Sequence, residues 1–249
     1  MTVPPAYVLL RGAGVRAAVR RDLAALLGAW LLETPLGRLP GGEPVSGGRG
    51  AAYRATLPGG LRAVVRPYLR GGFVARWARE TFLGPRPRPL RELTVTVAAR
   101  ALGAPVPDVL AARVEGGWLG YRGTLVTAEV AGVPLIEALR QAHTSAARQR
   151  AAGLAGDAVG VLHRAGLRHA DLNMTNLLVP VSAGDATAAI VDLDRARLFP
   201  ALSDRARRRK LRRLERSARK LDPLAAVVDA EVRAAFCAAY QRAVGSCVS

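Results

Sequence analysis

The strongest constraint on this chain lies between residues 167 and 200. There a polar loop, His169-Ala170-Asp171-Leu172-Asn173-Met174-Thr175-Asn176, runs straight into the apolar triplet Leu177-Leu178-Val179. A turn at Ser182-Ala183-Gly184-Asp185 follows, then Ala188-Ala189-Ile190-Val191 and two aspartates, Asp192 and Asp194. Two short apolar runs bounded by turn residues read as a small β-hairpin with a loop on it. Asp171, Asn176 and Asp192 thus come from two neighbouring loop ends and are expected to converge.

The rest of the second half is helical in pattern. Leu135 to Gln141 and Ala146 to His163 carry apolar residues at helical spacing, with Leu154, Ala158, Val161 and Leu162 along one face. Pro223 to Val244 reads as a closing helix that offers Leu224, Val227, Val228, Val232, Ala235, Phe236 and Tyr240 for burial. Before Gly132-Val133-Pro134 the pattern differs. Leu36 to Gly50 is dense in Gly and Pro, and Ala51 to Leu57, a turn at Pro58-Gly59-Gly60, and Leu61 to Tyr68 predict an antiparallel hairpin. A helix over Leu90 to Leu102 follows, then strands over Val106 to Val114 and Trp118 to Val130 around Gly116-Gly117. No internal repeat is visible. The expected architecture is α+β and bilobal: a small antiparallel-sheet lobe with one main helix over residues 1–130, and a mainly helical lobe over 131–249.

An Asp five residues before an Asn, followed by a strand, a turn and a second strand ending in Asp, is the layout of a kinase catalytic loop and its metal-binding strand end. Phosphoryl transfer from ATP needs a carboxylate beside the acceptor hydroxyl, for which Asp171 is the candidate. It also needs oxygen ligands for Mg2+ on the phosphates, for which Asn176 and Asp192 qualify. The alternative, in which Asp171 and Asn173 cap a turn and Asp192 merely ends a strand, accounts less well for the joint spacing. His169 is expected to pack and hold the loop rather than to transfer a proton.

Gly47-Gly48-Arg49-Gly50 stands where a nucleotide-covering loop belongs, ahead of the first hairpin. Glycine lets backbone amides approach phosphate, so Gly48, Arg49 and Gly50 are candidate nucleotide-binding residues, with an ordinary flexible turn as the alternative. The strand after that loop holds no Lys, which leaves Arg66 as the cation for the ATP phosphates and Glu92, on the following helix, as its partner. Read separately, the two are unrelated surface charges.

Net charge narrows the partners. The 249 residues carry 37 Lys+Arg against 19 Asp+Glu, a formal +18, and this field attracts nucleic acid, phosphorylated metabolites or anionic lipid. Arg205 to Lys220 holds ten cations and one acid, Glu215, so 10 − 1 = +9 is concentrated there. On a helix Leu211, Leu214 and Ala218 would line one face with cations elsewhere, suited to an anionic membrane surface; a solvated basic helix is the alternative. Aromatics are 5% of residues and none lies in that segment, which argues against nucleic acid because bases find no stacking platform. With half its residues hydrophobic the chain can bury a core. Cys237 and Cys247 give neither a disulfide framework nor a zinc cluster and fit a reducing compartment. The N-terminus lacks the order of a secretory signal, and Leu23 to Leu32 is too short to span a bilayer, so a soluble or membrane-surface protein is expected.

Gly48-Arg49-Gly50, Val65-Arg66-Pro67-Tyr68 with Arg70-Gly71-Gly72, Arg91-Glu92, the loop from His169 to Asn176, and Val191-Asp192-Leu193-Asp194-Arg195 together resemble the bacterial lipopolysaccharide-core kinases. Within them they resemble the 3-deoxy-D-manno-octulosonic acid (Kdo) kinase family, of the protein kinase-like superfamily. The similarity runs from about residue 45 to residue 220 and includes the basic stretch from Arg212 to Lys220. It implies a bilobal protein kinase-like fold, an arginine at the usual strand-lysine position, and ATP-dependent phosphorylation of the 4-hydroxyl of Kdo on the lipid A-linked inner core. It further implies a cytoplasmic enzyme, peripheral on the cytoplasmic face of the inner membrane, with ATP and Mg2+ as cofactors. Leu193 in place of the usual Phe, Arg76-Trp77, and the unmatched first 40 residues depart from the family pattern. The competing readings are a heptose or other small-molecule kinase of the same fold, and a non-catalytic pseudokinase that binds anions through its basic segment.

Overall fold

Period-two burial organises the first of two compact units into which the chain divides, Met1–Val97 with Asp108–Glu129. The computed structural model describes residues 3–34, 42–45, 52–69, 81–84, 86–117, 120–180 and 187–245. The predicted nucleotide-covering residues Gly48, Arg49 and Gly50, along with Arg70-Gly71-Gly72, Arg76-Trp77 and Cys247, lie outside the described residues.

The first unit is built on an antiparallel sheet of seven strands: β1 (Tyr7–Gly12), β2 (Val15–Arg20), β3 (Glu43–Pro44), β4 (Tyr53–Leu57), β5 (Leu61–Pro67), β6 (Val109–Gly117) and β7 (Gly120–Ala128). Their order is β1-β2-β6-β7-β5-β4-β3. Ala17 and Val19 of β2 pack with Ala63 and Val65 of β5 and with Leu27 and Leu31 of α1 (Ala24–Glu33). Ala18, between them, packs instead with Ala112, Val114, Leu125 and with Leu90 and Leu93 of α2 (Arg88–Ala101). Successive strand side chains point to opposite faces, so α1 covers one face of the sheet and α2 the other. The predicted hairpin is β4 and β5, joined in register Leu57↔Leu61. The unit holds more than the sequence suggested, because β1, β2 and α1 all come from the first 40 residues and add a second covering helix.

The second unit, Ala98–Pro107 with Val130–Ser249, is mainly helical. It contains α3 (Leu135–Gln141), α4 (Ser145–Arg164), α5 (Asp204–Leu221) and α6 (Ala230–Gly245). Two small sheets lie among them: β8 (Val133–Pro134), β10 (Leu177–Val179) and β11 (Ala189–Ile190) in the order β11-β10-β8, and β9 (Leu167–Arg168) paired with β12 (Arg197–Leu198). Thr144 and Ser203 cap α4 and α5, their hydroxyls accepting the N–H of Ala147 at 3.2 Å and of Ala206 at 3.3 Å.

Glycines set the contact between α4 and α6. A Cβ on Gly156 would stand 2.3 Å from the Phe236 carbonyl oxygen, and one on Gly160 would stand 2.5 Å from Ala243 Cβ. His163 is buried in that contact, 3.0 Å from the Tyr240 hydroxyl, and burial aided by the charges of Arg207 and Lys210 pushes its pKa down to about 4. The imidazole is therefore neutral at physiological pH.

The closing helix begins later than its apolar pattern predicted. Residues 223–229 wrap around Asp222, whose carboxylate accepts the N–H of Ala226, Val227 and Val228 at 3.0, 3.0 and 2.7 Å. Val228 is buried by this turn, but Leu224 is 89% exposed rather than part of the core. Among the described residues no helix is long and apolar enough to cross a membrane.

Replacing Gly156 by Ala should force α4 and α6 apart. The expected cost is about 1–3 kcal/mol, as for an overpacked core, seen as a lower thermal unfolding midpoint; an unchanged midpoint would mean that the helices do not pack this closely.

Candidate active site

Strand register brings the chemistry-bearing loop ends of the second unit together. Leu177↔Ile190 is a pair of the β10–β11 ladder, so Asn176, one residue before β10, lies opposite Val191, one residue after β11. The Val191 N–H donates to the Asn176 carbonyl at 3.0 Å. His169 then joins the two segments: Nε2 donates to the Val191 carbonyl at 3.0 Å, and Nδ1 accepts the Asp171 N–H at 3.1 Å. Those two bonds together require the neutral Nε2–H tautomer. His169 is fully buried and holds the loop, in the role its sequence position suggested.

The loop is further shaped from within. Asn173 Oδ1 accepts the N–H of Thr175 at 2.9 Å and of Asn176 at 3.1 Å, the side-chain bonding by which Asn organises turns. Leu172 and Met174 are buried beneath it, so their neighbours Asp171 and Asn173 alternate outward. Asn176 Nδ2 donates to the Asp171 carbonyl at 2.9 Å, which leaves Oδ1 as the amide atom available to a cation. Asp192 has φ +61°, a left-handed conformation seldom adopted outside Gly, Asn and Asp. The structure thus brings Asp171, Asn176 and Asp192 onto one bonded loop pair.

Helix α5 contributes residues that the sequence reading assigned to a basic surface. Arg213 donates from Nε to Asp171 Oδ1 at 2.8 Å and bonds the same oxygen through Nη2. Lys210 Nζ donates to the Ala170 carbonyl at 3.0 Å, and the Ser217 hydroxyl accepts the Met174 N–H at 3.3 Å. The buried face of α5 is Lys210, Leu214 and Ala218, with Leu211 only half-buried, which corrects the expected apolar face. Burial pushes the Asp171 carboxyl up, but hydrogen bonds from Arg213 and Asn173 and the Arg213 charge outweigh it and hold the pKa below the usual carboxylate range.

In the first unit, Arg66 and Glu92 are partners and not unrelated charges. Ala63 and Val65 of β5 face α1, so the intervening period turns Arg66 toward α2. There Arg66 Nη2 donates to Glu92 Oε1 at 2.5 Å, and the Tyr68 hydroxyl donates to Glu92 Oε2. The guanidinium of Arg66 also lies 4.8 Å from the centre of the Tyr68 ring. Glu92 is 4% exposed, so both its oxygens are held in a dry setting.

The donor set suits a hard divalent cation. Asn176 Oδ1 and the Asp192 carboxylate offer oxygen donors of the kind by which Mg2+ is ordinarily held, with one or two protein carboxylates and with phosphates and water completing its shell. Among the described residues no group of three or more His, Cys, Asp or Glu is assembled that could hold a metal ion.

A family model, lipopolysaccharide kinase (Kdo/WaaP) family, matches residues 46–240. A 3-deoxy-D-manno-octulosonic acid kinase of Xanthomonas axonopodis pv. citri (strain 306) is 36% identical over 186 residues, 71% of this chain and 69% of that protein. One from Stenotrophomonas maltophilia (strain K279a) is 34% identical over 205 residues, 79% of each chain. A solved structure, WaaP in complex with acyl carrier protein, superposes with a TM-score of 0.57 at 18% identity, covering 91% of this chain and 89% of that one. The fold is kinase-like. The chain belongs to the lipopolysaccharide kinase (Kdo/WaaP) family, a family of phosphotransferases with an alcohol group as acceptor.

The buried carboxylate of Glu92 makes Arg66 testable by stability alone. Arg66→Leu strands Glu92 without its cation and should cost about 3–5 kcal/mol, whereas the Arg66→Leu/Glu92→Leu double variant should recover a large part of that loss. Equal thermal midpoints for the single variant and the wild type would remove the pairing.

Proposed function

We propose that this protein transfers the γ-phosphoryl group of ATP to the 4-hydroxyl of a Kdo residue on the lipid A-linked inner core of lipopolysaccharide. The Kdo kinase names of relatives at 34–36% identity support the acceptor. The single observation that carries the chemistry is the bonded network in which His169 and Asn176 tie the loop of Asp171 to the segment of Asp192. In this reading residues 1–130 cover the nucleotide, through Gly48, Arg49 and Gly50, and residues 131–249 carry catalysis and bind the acceptor.

Each residue has a defined task. Arg66, steered by Glu92, meets the charge of the ATP phosphates; Asn176 and Asp192 hold Mg2+. Mg2+ held by these two residues would supply neutralisation of charge on the phosphates, and the bond from the γ-phosphorus to the bridging oxygen is the one that breaks. Asp171 orients the sugar hydroxyl through Oδ2 and accepts its proton there as the oxygen–phosphorus bond forms, and ADP leaves. Such a reaction asks little covalent chemistry of the protein, so positioning and charge supply most of the rate.

The outward cations of α5 support a membrane contact. Arg205, Arg208, Arg209, Arg212, Arg216, Arg219 and Lys220 are all exposed, and lipid A phosphates, acidic core sugars and anionic headgroups are natural counterions. We place the working enzyme at the cytoplasmic face of the inner membrane, held peripherally by this helix.

Phosphate incorporation into Kdo-bearing lipid A, followed by mass spectrometry, tests the reaction. Transfer should require Mg2+, stop on chelation, and fall by about 100-fold or more in Asp171→Ala; equal transfer by that variant would end the assignment. Binding to phosphatidylglycerol vesicles should weaken with salt. At about 1 kcal/mol per cation near an anionic surface, charge reversal at Arg208, Arg212 and Arg216 should weaken it about 100-fold or more. Unaltered binding would leave α5 as ordinary solvated surface.

A further inference from the structure

We propose that Arg213 of α5 is a positioning residue for phosphoryl transfer: it grips Oδ1 of Asp171 so that Oδ2 is presented to the acceptor hydroxyl. The proposal rests on the reading of Asp171 as the group that accepts that hydroxyl's proton.

Residues 169–176 contain no Lys or Arg, so the loop has no cation of its own with which to fix its carboxylate. Helix α5 supplies one. Arg213 Nε donates to Oδ1 at 2.8 Å, Nη2 bonds the same atom, and Asn173 Nδ2 approaches it at 3.3 Å. Every one of these bonds ends on Oδ1. A planar guanidinium engaging through two N–H groups fixes the direction of a carboxylate in a way that a single ammonium does not.

The grip is built, not an accident of two exposed side chains. One turn before Arg213, Lys210 is buried and donates to the Ala170 carbonyl at 3.0 Å. One turn after it, the Ser217 hydroxyl accepts the Met174 N–H at 3.3 Å. Leu214 and Ala218 are buried on the same side of the helix. Positions 210, 213, 214, 217 and 218 follow the spacing of one helical face. Arg213 is therefore held over Asp171 by contacts on both sides of it.

This arrangement suits the reaction. Positioning matters more than basicity in phosphoryl transfer, so a carboxylate whose proton affinity is reduced by Arg213 loses little if its free oxygen is well aimed. The titratable groups that face Asp171 are Arg213 and Lys210 from α5 and His169 from the loop itself; of these, Arg213 bonds the carboxylate directly. The ion pair is about half exposed, with side-chain exposures of 45% and 55%, and such pairs contribute only about 0–1 kcal/mol to stability. Removing Arg213 thus separates a functional effect from a folding effect.

The experiment compares the full-length wild type with Arg213→Ala, Arg213→Lys and Asp171→Asn. It measures turnover of Mg-ATP on Kdo-bearing lipid A across pH, titration of the Asp171 carboxyl by 13C NMR, and the thermal midpoint. In Arg213→Ala we expect kcat to fall about 10- to 100-fold with both KM values within about threefold, the loss typical of a misplaced reacting group. The Asp171 titration and the acid limb of the rate profile should both move to higher pH, with the thermal midpoint unchanged. Arg213→Lys, which keeps charge without the fork, should restore the acid limb more fully than kcat. Wild-type kcat with an unmoved Asp171 titration in Arg213→Ala overturns the proposal. So does a raised acceptor KM with kcat and acid limb intact, which would make Arg213 an acceptor-binding group. Full turnover by Asp171→Asn would instead remove the reading of Asp171 itself; an inactive Asp171→Asn beside an unaffected Arg213→Ala would remove only the role of Arg213.

Discussion

The imidazole of His169 is the interaction on which the rest of the site depends. It is fully buried and uses both ring nitrogens, one on the Val191 carbonyl and one on the Asp171 amide. The loop and the strand end are thereby joined at the Asp171 amide and at Val191, the residue before Asp192. A buried polar ring with both nitrogens satisfied has little freedom to rotate, since any other orientation would leave a donor or acceptor orphaned. The position of Asp171 relative to the segment of Asp192 is set by that ring together with the bonds that Asn176 makes to both segments.

Local features of the sequence were legible because local physics sets them. The loop from His169 to Asn176, the two short strands beside it, the hairpin of β4 and β5, and helices α2, α3 and α4 follow from apolar period and turn residues. The pairing of Arg66 with Glu92 followed from kinase geometry and is realised in an ion pair that Tyr68 completes. Less legible was the first stretch of chain. The hairpin of β1 and β2 turns at Ala13-Gly14, with Gly14 at φ +70°; Ala17, Ala18 and Val19 of β2 are buried on both faces of the sheet and so lack the alternation that marks a half-exposed strand.

Helix α5 was the other element whose meaning sequence alone did not carry. Its charge pattern announced a basic amphipathic helix, yet which face would meet protein depends on contacts 40 residues apart in the chain, such as Lys210 with Ala170 and Arg213 with Asp171. Long side chains let the helix do two things. The Lys210 stem is buried while its ammonium reaches a carbonyl, so a nominally polar position serves as core. The opposite side stays cationic and open to solvent.

That double-sided helix has a consequence for how the protein can vary. Side chains at 210, 213 and 217 must reach the loop, while those at 208, 212 and 216 stay outward, and both sets are phased from the same Ser203 cap. Inserting or deleting one residue in the first two turns would rotate everything downstream by about 100°. The spacer length between the cap and Lys210 is therefore under as much constraint as the identity of any residue in it, and substitutions should be tolerated there far more readily than indels.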